Sequence, residues 1–287
     1  MAKVIILGNG PAGISAALYT VRAGLDTTVL GKDGGALAKA EKIENYYGFP
    51  GGISGKALVE AGIAQAKELG VSFIEEEAVS LGFGESLFVK TTQAQYPGDC
   101  IILATGTTRA APRIAGLRDL EGKGVSYCAV CDAFFYRGRS VAVLGDGEYA
   151  RNEVEELLPV VGSVTLLTNG KPPAVSFPAG VHIIETPIEA LEGENQLESA
   201  RFADGSSLPL DGIFIAVGVA GSADLAKKIG AVTEGNKIAV DENMQTNIPG
   251  LYAAGDCTGG MLQIAKAVHD GAVAGTAVVK ALRGSKQ

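Results

Sequence analysis

The sequence predicts an α/β fold of two domains, the second inserted into the first. Three observations carry that prediction. An apolar strand, a glycine-rich turn and a helical pattern follow one another over residues 3–23, and the same succession recurs from residue 140. Two more apolar runs, near 100–106 and 213–218, end in glycine without alternating polar positions, as strands buried on both faces of a parallel sheet do.

Lys3–Leu7 reads as the first strand, followed by Gly8-Asn9-Gly10-Pro11-Ala12-Gly13. Ile14, Ala17, Leu18, Val21 and Ala23 mark a helix that Gly24 ends, and Thr27–Leu30 completes a βαβ unit. Residues 31–55 are glycine-rich and irregular, and Lys56–Leu69 has helical periodicity. Strands are expected near 72–75, 79–83 and 87–91, then at Cys100–Leu103, which runs into Ala104-Thr105-Gly106. The second unit opens with Ser140–Leu144 and Gly145-Asp146-Gly147-Glu148-Tyr149-Ala150. Val154, Leu157 and Leu158 mark its helix, and Val164–Leu167 its next strand. The two fingerprints lie about 137 residues apart, which implies two Rossmann-like three-layer nucleotide-binding domains. The expected division is 1–111 and 243–287 for the first domain and 112–242 for the inserted one. A last strand precedes Ala253-Ala254-Gly255-Asp256, and a helix follows through Ala265, Val268, Ala272 and Val279.

Composition narrows the function. The 24 basic residues are outnumbered by 32 acidic ones, with no run of Lys and Arg, which argues against a nucleic-acid partner. No stretch approaches the roughly 20 apolar residues of a membrane span. The start of the chain lacks the pattern of a signal peptide, so a cytoplasmic location is expected. Four cysteines make no disulfide framework, and in a reducing compartment a close pair points to redox or metal chemistry.

The first fingerprint has a mechanism behind it. Gly8 permits the tight turn, Gly10 lets backbone approach a pyrophosphate, Gly13 lets helix and strand pack, and the helix N-terminus offers amide donors. One expected piece is missing: Leu30-Gly31-Lys32 ends the second strand without an acid, so a ribose contact has to come from elsewhere. Cys128-Ala129-Val130-Cys131-Asp132 is the strongest chemical signal. The pair can close a small disulfide ring, the first cysteine accessible to a partner, with Asp132 as acid or base. Zinc ranks below redox, because Cys100 and Cys257 are isolated and His182 and His269 are the only histidines, so no metal site is expected. A purely structural pair ranks lower still. Cys257 reads as a packing residue and His269 as a hydrogen-bonded or surface one. Phe134, Phe135 and Tyr136 suit either partner docking or packing.

The segment Ser126–Gly138 closely resembles the active-site segment of low-molecular-weight thioredoxin reductases, and the resemblance covers nearly the whole chain. Gly8–Gly13 with Ile14-Ser15-Ala16-Ala17 resembles that family's FAD fingerprint. Glu44-Asn45-Tyr46-Tyr47-Gly48-Phe49-Pro50-Gly51 resembles its flavin-contacting loop, and Ala104-Thr105-Gly106 and Ala253–Asp256 also match. The resemblance implies bound FAD, a homodimer, and a cysteine pair cycling between flavin and a thioredoxin. Cys131 would face the flavin, Cys128 would attack the substrate disulfide, and Asp132 would donate a proton. Asp256 would hold the ribityl chain, and Gln263, Ile264 and Ala265 would lie by the isoalloxazine ring. The candidate cofactor set is completed by Gly8, Gly10, Pro11, Ala12, Gly13, Gly31, Lys32, Gly35, Ala36, Leu37, Asn45, Ala104, Thr105, Gly106 and Gly255.

The donor side departs from the family. NADPH-using members follow the second fingerprint with a His-Arg-Arg cluster and a further Arg that hold the 2′-phosphate. This chain reads Leu166-Leu167-Thr168-Asn169-Gly170-Lys171-Pro172-Pro173, without those cations, and losing a charge-assisted clamp weakens NADP binding. Tyr149 stands where a small residue is usual, and no acid ends Val164–Leu167 to favour NADH. The Tyr127–Ala133 and Asn45–Phe49 segments resemble the ferredoxin-dependent flavin thioredoxin reductases of anaerobes. A donor other than NADPH, with reduced ferredoxin favoured, is therefore expected. An acidic ferredoxin would need a local basic patch, for which Arg137, Arg139 and Lys123 are candidates. An NAD(P)H-dependent enzyme with an atypical nucleotide site and a flavin dithiol oxidase remain the alternatives.

Overall fold

The computed structural model describes residues 1–32, 35–106 and 112–284. The chain begins with β1 (Lys3–Leu7), α1 (Pro11–Arg22) and β2 (Asp26–Leu30). It continues through α2 (Gly55–Glu68), β3 (Ser72–Ile74), β4 (Ala78–Phe83), β5 (Leu87–Thr91), β6 (Gln95–Gly98) and β7 (Cys100–Leu103). Next come β8 (Val125–Ser126), α3 (Ala129–Asp132), β9 (Ser140–Leu144), α4 (Glu148–Leu157), β10 (Ser163–Leu167) and β11 (His182–Ile184). The run ends with β12 (Ile188–Glu192), β13 (Ser199–Phe202), β14 (Ser207–Pro209) and β15 (Gly212–Ile215). The chain closes with α5 (Ser222–Lys227), β16 (Thr233–Glu234), β17 (Lys237–Ile238), β18 (Leu251–Ala253) and α6 (Ile264–Gly284).

Two compact units result, Met1–Thr108 with Gly221–Gln287, and Arg109–Ala220. The return to the first unit therefore comes before residue 243. Residues 221–242 join the first unit because Ser222 Oγ meets Thr105 (2.7 Å between hydroxyls) and Lys228 Nζ donates to the Val79 carbonyl at 3.2 Å. The other expected junction, at residue 111, lies outside the described residues.

The first unit has a parallel five-stranded sheet in the order β18-β7-β1-β2-β3 and a separate antiparallel sheet, β4-β5-β6. Leu7 pairs with Leu30 and Leu103, and Leu103 with Ala253, so the four strands end in register at one edge. Ile6, Val29, Ile102 and Tyr252 form the core with Ala16, Ala17 and Val278 from the helices. Helix α6 lies close to α1 because both present small residues: a Cβ on Gly271 would stand 2.1 Å from the Ala12 carbonyl oxygen.

The second unit repeats the plan as β11-β10-β9-β15-β8, all parallel, with an antiparallel β12-β13-β14 sheet. Its core gathers Leu117, Leu144, Leu167, Phe202 and Ile213. The sequence reading missed β6 and the β12–β14 sheet, whose strands are short and carry turns within a few residues of one another.

Candidate functional site

The first site is built at the common strand edge. Gly8 leaves β1, Gly31 leaves β2 and Ala104 leaves β7, held by Gly8 N to Leu30 O (2.8 Å), Gly31 N to Ile74 O (3.1 Å) and Ala104 N to Leu7 O (2.7 Å). Two glycines of the fingerprint are required by packing. A Cβ on Gly8 would lie 2.3 Å from the Ala104 carbonyl oxygen, and one on Gly13 only 1.8 Å from that of Gly8. Gly10 differs: a Cβ there would meet nothing within 4 Å. Open space thus faces the start of α1, which has Pro11 in its first turn, no acid there and no side-chain cap. Those amides are free to face an anion.

Of the other predicted cofactor residues, Thr105 and Gly106 follow Ala104 at this edge, and Ile264 lines a cavity with Gly10 and Pro11. Thr105 is fixed by Ser222, whose hydroxyl accepts from its backbone N–H at 3.1 Å, and Gly106 turns with φ +74°. Asn45 Nδ2 donates to Gln263 Oε1 at 3.0 Å, joining the irregular loop to the start of α6, where Ile264 and Ala265 follow. Gly35, Ala36 and Leu37 lead into a short 3-10 turn, Leu37–Lys39. A cavity of about 280 Å³ borders the turn, lined by Gly10, Pro11, Ile14, Phe49, Ile264 and Val268.

The Gly255–Asp256 turn is held from within. Buried Asp270 accepts from Gly255 N (3.1 Å) and pairs with Lys266 Nζ (2.7 Å), and Lys266 also donates to the Gly255 carbonyl and Thr258 hydroxyl, each at 2.8 Å. Burial pushes the Asp256 carboxyl above the usual carboxylate range. Lys266 opposes that shift and Asp270 adds to it.

The second site is the cysteine pair. Cys128 and Cys131 form a disulfide with Cα atoms 5.3 Å apart. Strand β8, paired to β15 through Ser126 and Phe214, delivers the chain to Cys128, which caps α3: its Sγ accepts from Cys131 N at 3.2 Å. Ser126 Oγ accepts from Cys128 N (3.1 Å) and donates to Asp132 Oδ2 (2.6 Å), so the predicted acid is oriented by a neighbour. From α4, Glu153 accepts from Ala129 N at 2.7 Å and Tyr149 donates to the Tyr127 carbonyl at 3.3 Å. This backing encloses Cys128, 4% exposed, while Cys131 is exposed. In the disulfide form the accessible cysteine is therefore the second, contrary to the sequence expectation. Beyond the pair Phe134 and Phe135 are 70% and 71% exposed, and Arg137 lies 5.5 Å over the Phe134 ring.

The profile of the pyridine nucleotide-disulphide oxidoreductase family matches residues 2–170 and 176–271. The thioredoxin reductase of Aquifex aeolicus is 36% identical, the alignment covering 99% of this chain and 94% of that one, and that of Listeria innocua is 34% identical, covering 95% and 91%. Among solved structures, the atypical thioredoxin reductase of Desulfovibrio vulgaris Hildenborough superposes with a TM-score of 0.93 at 41% identity, over 99% of each chain. A ferredoxin-flavin thioredoxin reductase from Clostridium acetobutylicum gives 0.73 at 29%, over 99% of this chain and all of that one. The chain belongs to the pyridine nucleotide-disulphide oxidoreductase family. It is a thioredoxin reductase-like flavin oxidoreductase.

The family implies a flavin, and the open cradle at Gly10 with uncapped α1 amides fits the phosphates of a flavin nucleotide. The second fingerprint, which in this family would serve a pyridine nucleotide, is differently furnished. Glu148 stands in the first turn of α4. The Asp146 carbonyl accepts from Ala174 N at 2.8 Å, and Lys171 Nζ lies 3.8 Å from the Asp146 carboxylate. Tyr149 is buried.

Several residues that shape these sites carried no sequence signal: Glu153 and Ser222 act on partners far along the chain, and Lys266 and Asp270 hold the Gly255 turn from α6. His269 is exposed beside Asp270, and Cys257 is buried with its thiol pushed up to about 11 by burial. Among the described residues no helix is long and apolar enough to cross a membrane.

Proposed function

We propose that this chain binds FAD, takes electrons from reduced ferredoxin, and passes them in pairs to the Cys128–Cys131 disulfide and on to the disulfide of a thioredoxin. It would act as a cytoplasmic homodimer. The observation that carries the reading is a disulfide seated in α3 beside two exposed phenylalanines, an arrangement suited to docking a small protein and exchanging a disulfide with it. Bound flavin supplies a store in which single electrons are gathered into the pair that a disulfide needs.

The residues around the pair support the following order of events. Electrons enter at the accessible sulfur, Cys131, and the S–S bond breaks with Cys128 leaving as thiolate. The Cys131 N–H bonded to Cys128 Sγ stabilises that charge. Cys128 then attacks one sulfur of the thioredoxin disulfide, and Cys131 attacks the mixed disulfide, restoring the Cys128–Cys131 bond and releasing dithiol. Asp132, held by Ser126, protonates the departing thiolate. Attack by Cys128 requires the enclosed residue to become accessible once the disulfide has opened.

The non-pyridine donor is favoured by the second fingerprint. The Pro172-Pro173-Ala174 segment is clasped to the Asp146 carbonyl, and acidic Asp146 and Glu148 border the place where phosphates would lie. Each acid has a cation near it, Lys171 at 3.8 Å from Asp146 and Arg151 at 3.9 Å from Glu148, so the mouth offers a dinucleotide's phosphates no net positive charge. Arg137, Arg139 and Lys123 are exposed in the same unit and supply positive charge for an acidic ferredoxin, although Arg139 also approaches Asp211 at 4.0 Å.

Anaerobic stopped-flow spectroscopy tests the donor. Reduced ferredoxin should bleach the flavin within seconds, whereas NADPH and NADH should leave it oxidised over minutes. Bleaching by NADPH as fast as by ferredoxin would overturn the assignment. Trapping tests the sulfurs: Cys131→Ser should accumulate a mixed disulfide with thioredoxin and Cys128→Ser none. The reverse pattern would exchange the two roles.

A further inference from the structure

Strand β2 ends in Leu30-Gly31-Lys32, with no carboxylate where an adenosine ribose would ordinarily find its hydroxyl acceptor. A carboxylate stands nearby, one strand over. Strand β3 pairs with β2 in register, Leu30 against Ile74, and Gly31 N donates to the Ile74 carbonyl. Residues 75–77, leaving β3, therefore run beside residues 31 and 32, leaving β2, at the carboxyl edge of the parallel sheet where ligands bind in such folds.

Glu77 in this segment is 8% exposed. Its Oε2 is paired with Lys32 Nζ at 2.8 Å, which ties the carboxylate to the end of β2. Its Oε1 is buried and meets no hydrogen-bond donor among the described residues. The adjacent Glu76 differs, because the Tyr96 hydroxyl donates to it at 2.8 Å and Thr91 Oγ1 also donates to it. A buried carboxylate oxygen without a donor is costly in a folded protein unless a ligand supplies one.

We propose that Glu77 accepts hydrogen bonds from the ribose hydroxyls of the adenosine half of FAD, with Lys32 orienting it. This rests on the FAD reading of the cradle and deepens it: the acid missing from the end of β2 is supplied from behind β3. An acceptor-only carboxylate suits a vicinal diol, whose two O–H groups both donate. It also separates FAD from FMN, which lacks that ribose.

The test strips flavin from the holoprotein and titrates the apoprotein with FAD, with FMN and with an FAD analogue whose adenosine carries 2′,3′-dideoxyribose, following flavin fluorescence. Glu77→Gln should bind FAD about 10- to 100-fold more weakly than wild type, because Lys32 draws the one amide oxygen and leaves an N–H donor facing the ribose in place of the charged acceptor. Its FMN affinity should stay within about twofold of wild type, a change near zero on a scale where tenfold is 1.4 kcal/mol. The dideoxy analogue should lose the same factor on wild type and nothing further on Glu77→Gln. Equal losses for FAD and FMN would assign Glu77 a structural role and overturn the proposal, as would unchanged FAD affinity. If Glu77→Gln does not fold, wild type alone decides, since equal affinity for FAD and the dideoxy analogue overturns it. Wild-type apoprotein that binds no FAD would instead overturn the cofactor reading itself, and this inference with it.

Discussion

At the first fingerprint a Cβ on Gly8 would come within 2.3 Å of the Ala104 carbonyl oxygen. At the second, a Cβ on Gly145 would come equally near the Ala216 carbonyl oxygen. The middle glycines also agree, since a Cβ on Gly10 meets nothing within 4 Å and one on Gly147 meets only the Gly218 oxygen at 3.9 Å. The glycines thus report how a helix packs on a strand in both units, and do not distinguish them. The surroundings do. The start of α1 carries no acid and faces a cavity, whereas the start of α4 carries Glu148 and has the Ala174 amide tied across its turn at Asp146. Two copies of one glycine pattern can therefore present different surroundings to a ligand, and the residues that differ are those between and beyond the glycines.

The largest test of that contrast is on the internally braced side. Lys266→Met strips the cation from buried Asp270, and removing one partner of a buried pair costs about 3–5 kcal/mol. Thermal unfolding should show it, together with loss of flavin. The sign of its pH dependence follows from Asp256. Its folded carboxyl titrates above the usual range, so the native state holds extra proton and Asp256 costs stability progressively as pH rises through that window. Lys266 limits the cost, so the variant should be penalised more at pH 7 than at pH 4. An equal penalty at both would place the effect in packing alone.

Next come the glycines themselves. Gly13→Ala places a Cβ 1.8 Å from the Gly8 carbonyl oxygen and should destabilise by about 1–3 kcal/mol or more, with flavin lost. Gly10→Ala and Gly147→Ala should both fold within about 0.5 kcal/mol of wild type. Only Gly10→Ala should lower flavin affinity, measured by titrating apoprotein. Equal retention of flavin in the two would erase the distinction between the turns.

How far the sequence could see follows from the same residues. The βαβ units were legible because Lys3–Leu30 and Ser140–Leu167 carry local signals: apolar runs, glycine turns and helical spacing. The cysteine pairing and the packing glycines were legible where residues adjoin in sequence, as in Cys128–Cys131 and Gly8–Gly13. Partnerships across distance were not. Glu153 reaches Ala129 from 24 residues away and Ser222 reaches Thr105 from 117, with no composition or period to announce them. The burial of Cys128 has the same origin, since it arises from what α4 packs behind the pair.

On the second unit, Glu153→Ala should cost about 1–3 kcal/mol, because Ala129 N loses its acceptor in a buried setting. Glu153→Gln keeps a carbonyl oxygen and should recover most of it in the same denaturation measurement. If the glutamine variant is as unstable as the alanine one, the hydrogen bond is not what α4 contributes to the cysteine segment.

The smallest expected effect is the most pointed. Lys171 is the one cation in residues 166–173, and two prolines follow it, so the next backbone donor is Ala174, already committed to Asp146. Its own pairing with Asp146 is long and solvent-exposed, a kind of contact contributing about 0–1 kcal/mol. Lys171→Ala should therefore leave stability within about 0.5 kcal/mol of wild type. If the second turn bound a pyridine nucleotide, that ammonium would be a counter-charge for its phosphates beside Arg151 of α4, and its loss would slow nucleotide-driven flavin reduction by about tenfold or more. Ferredoxin-driven reduction of thioredoxin should proceed at the wild-type rate in the variant, and the NADPH and NADH traces should be as flat as before. A nucleotide-dependent rate that falls on removing Lys171 would show that the second fingerprint works like the first.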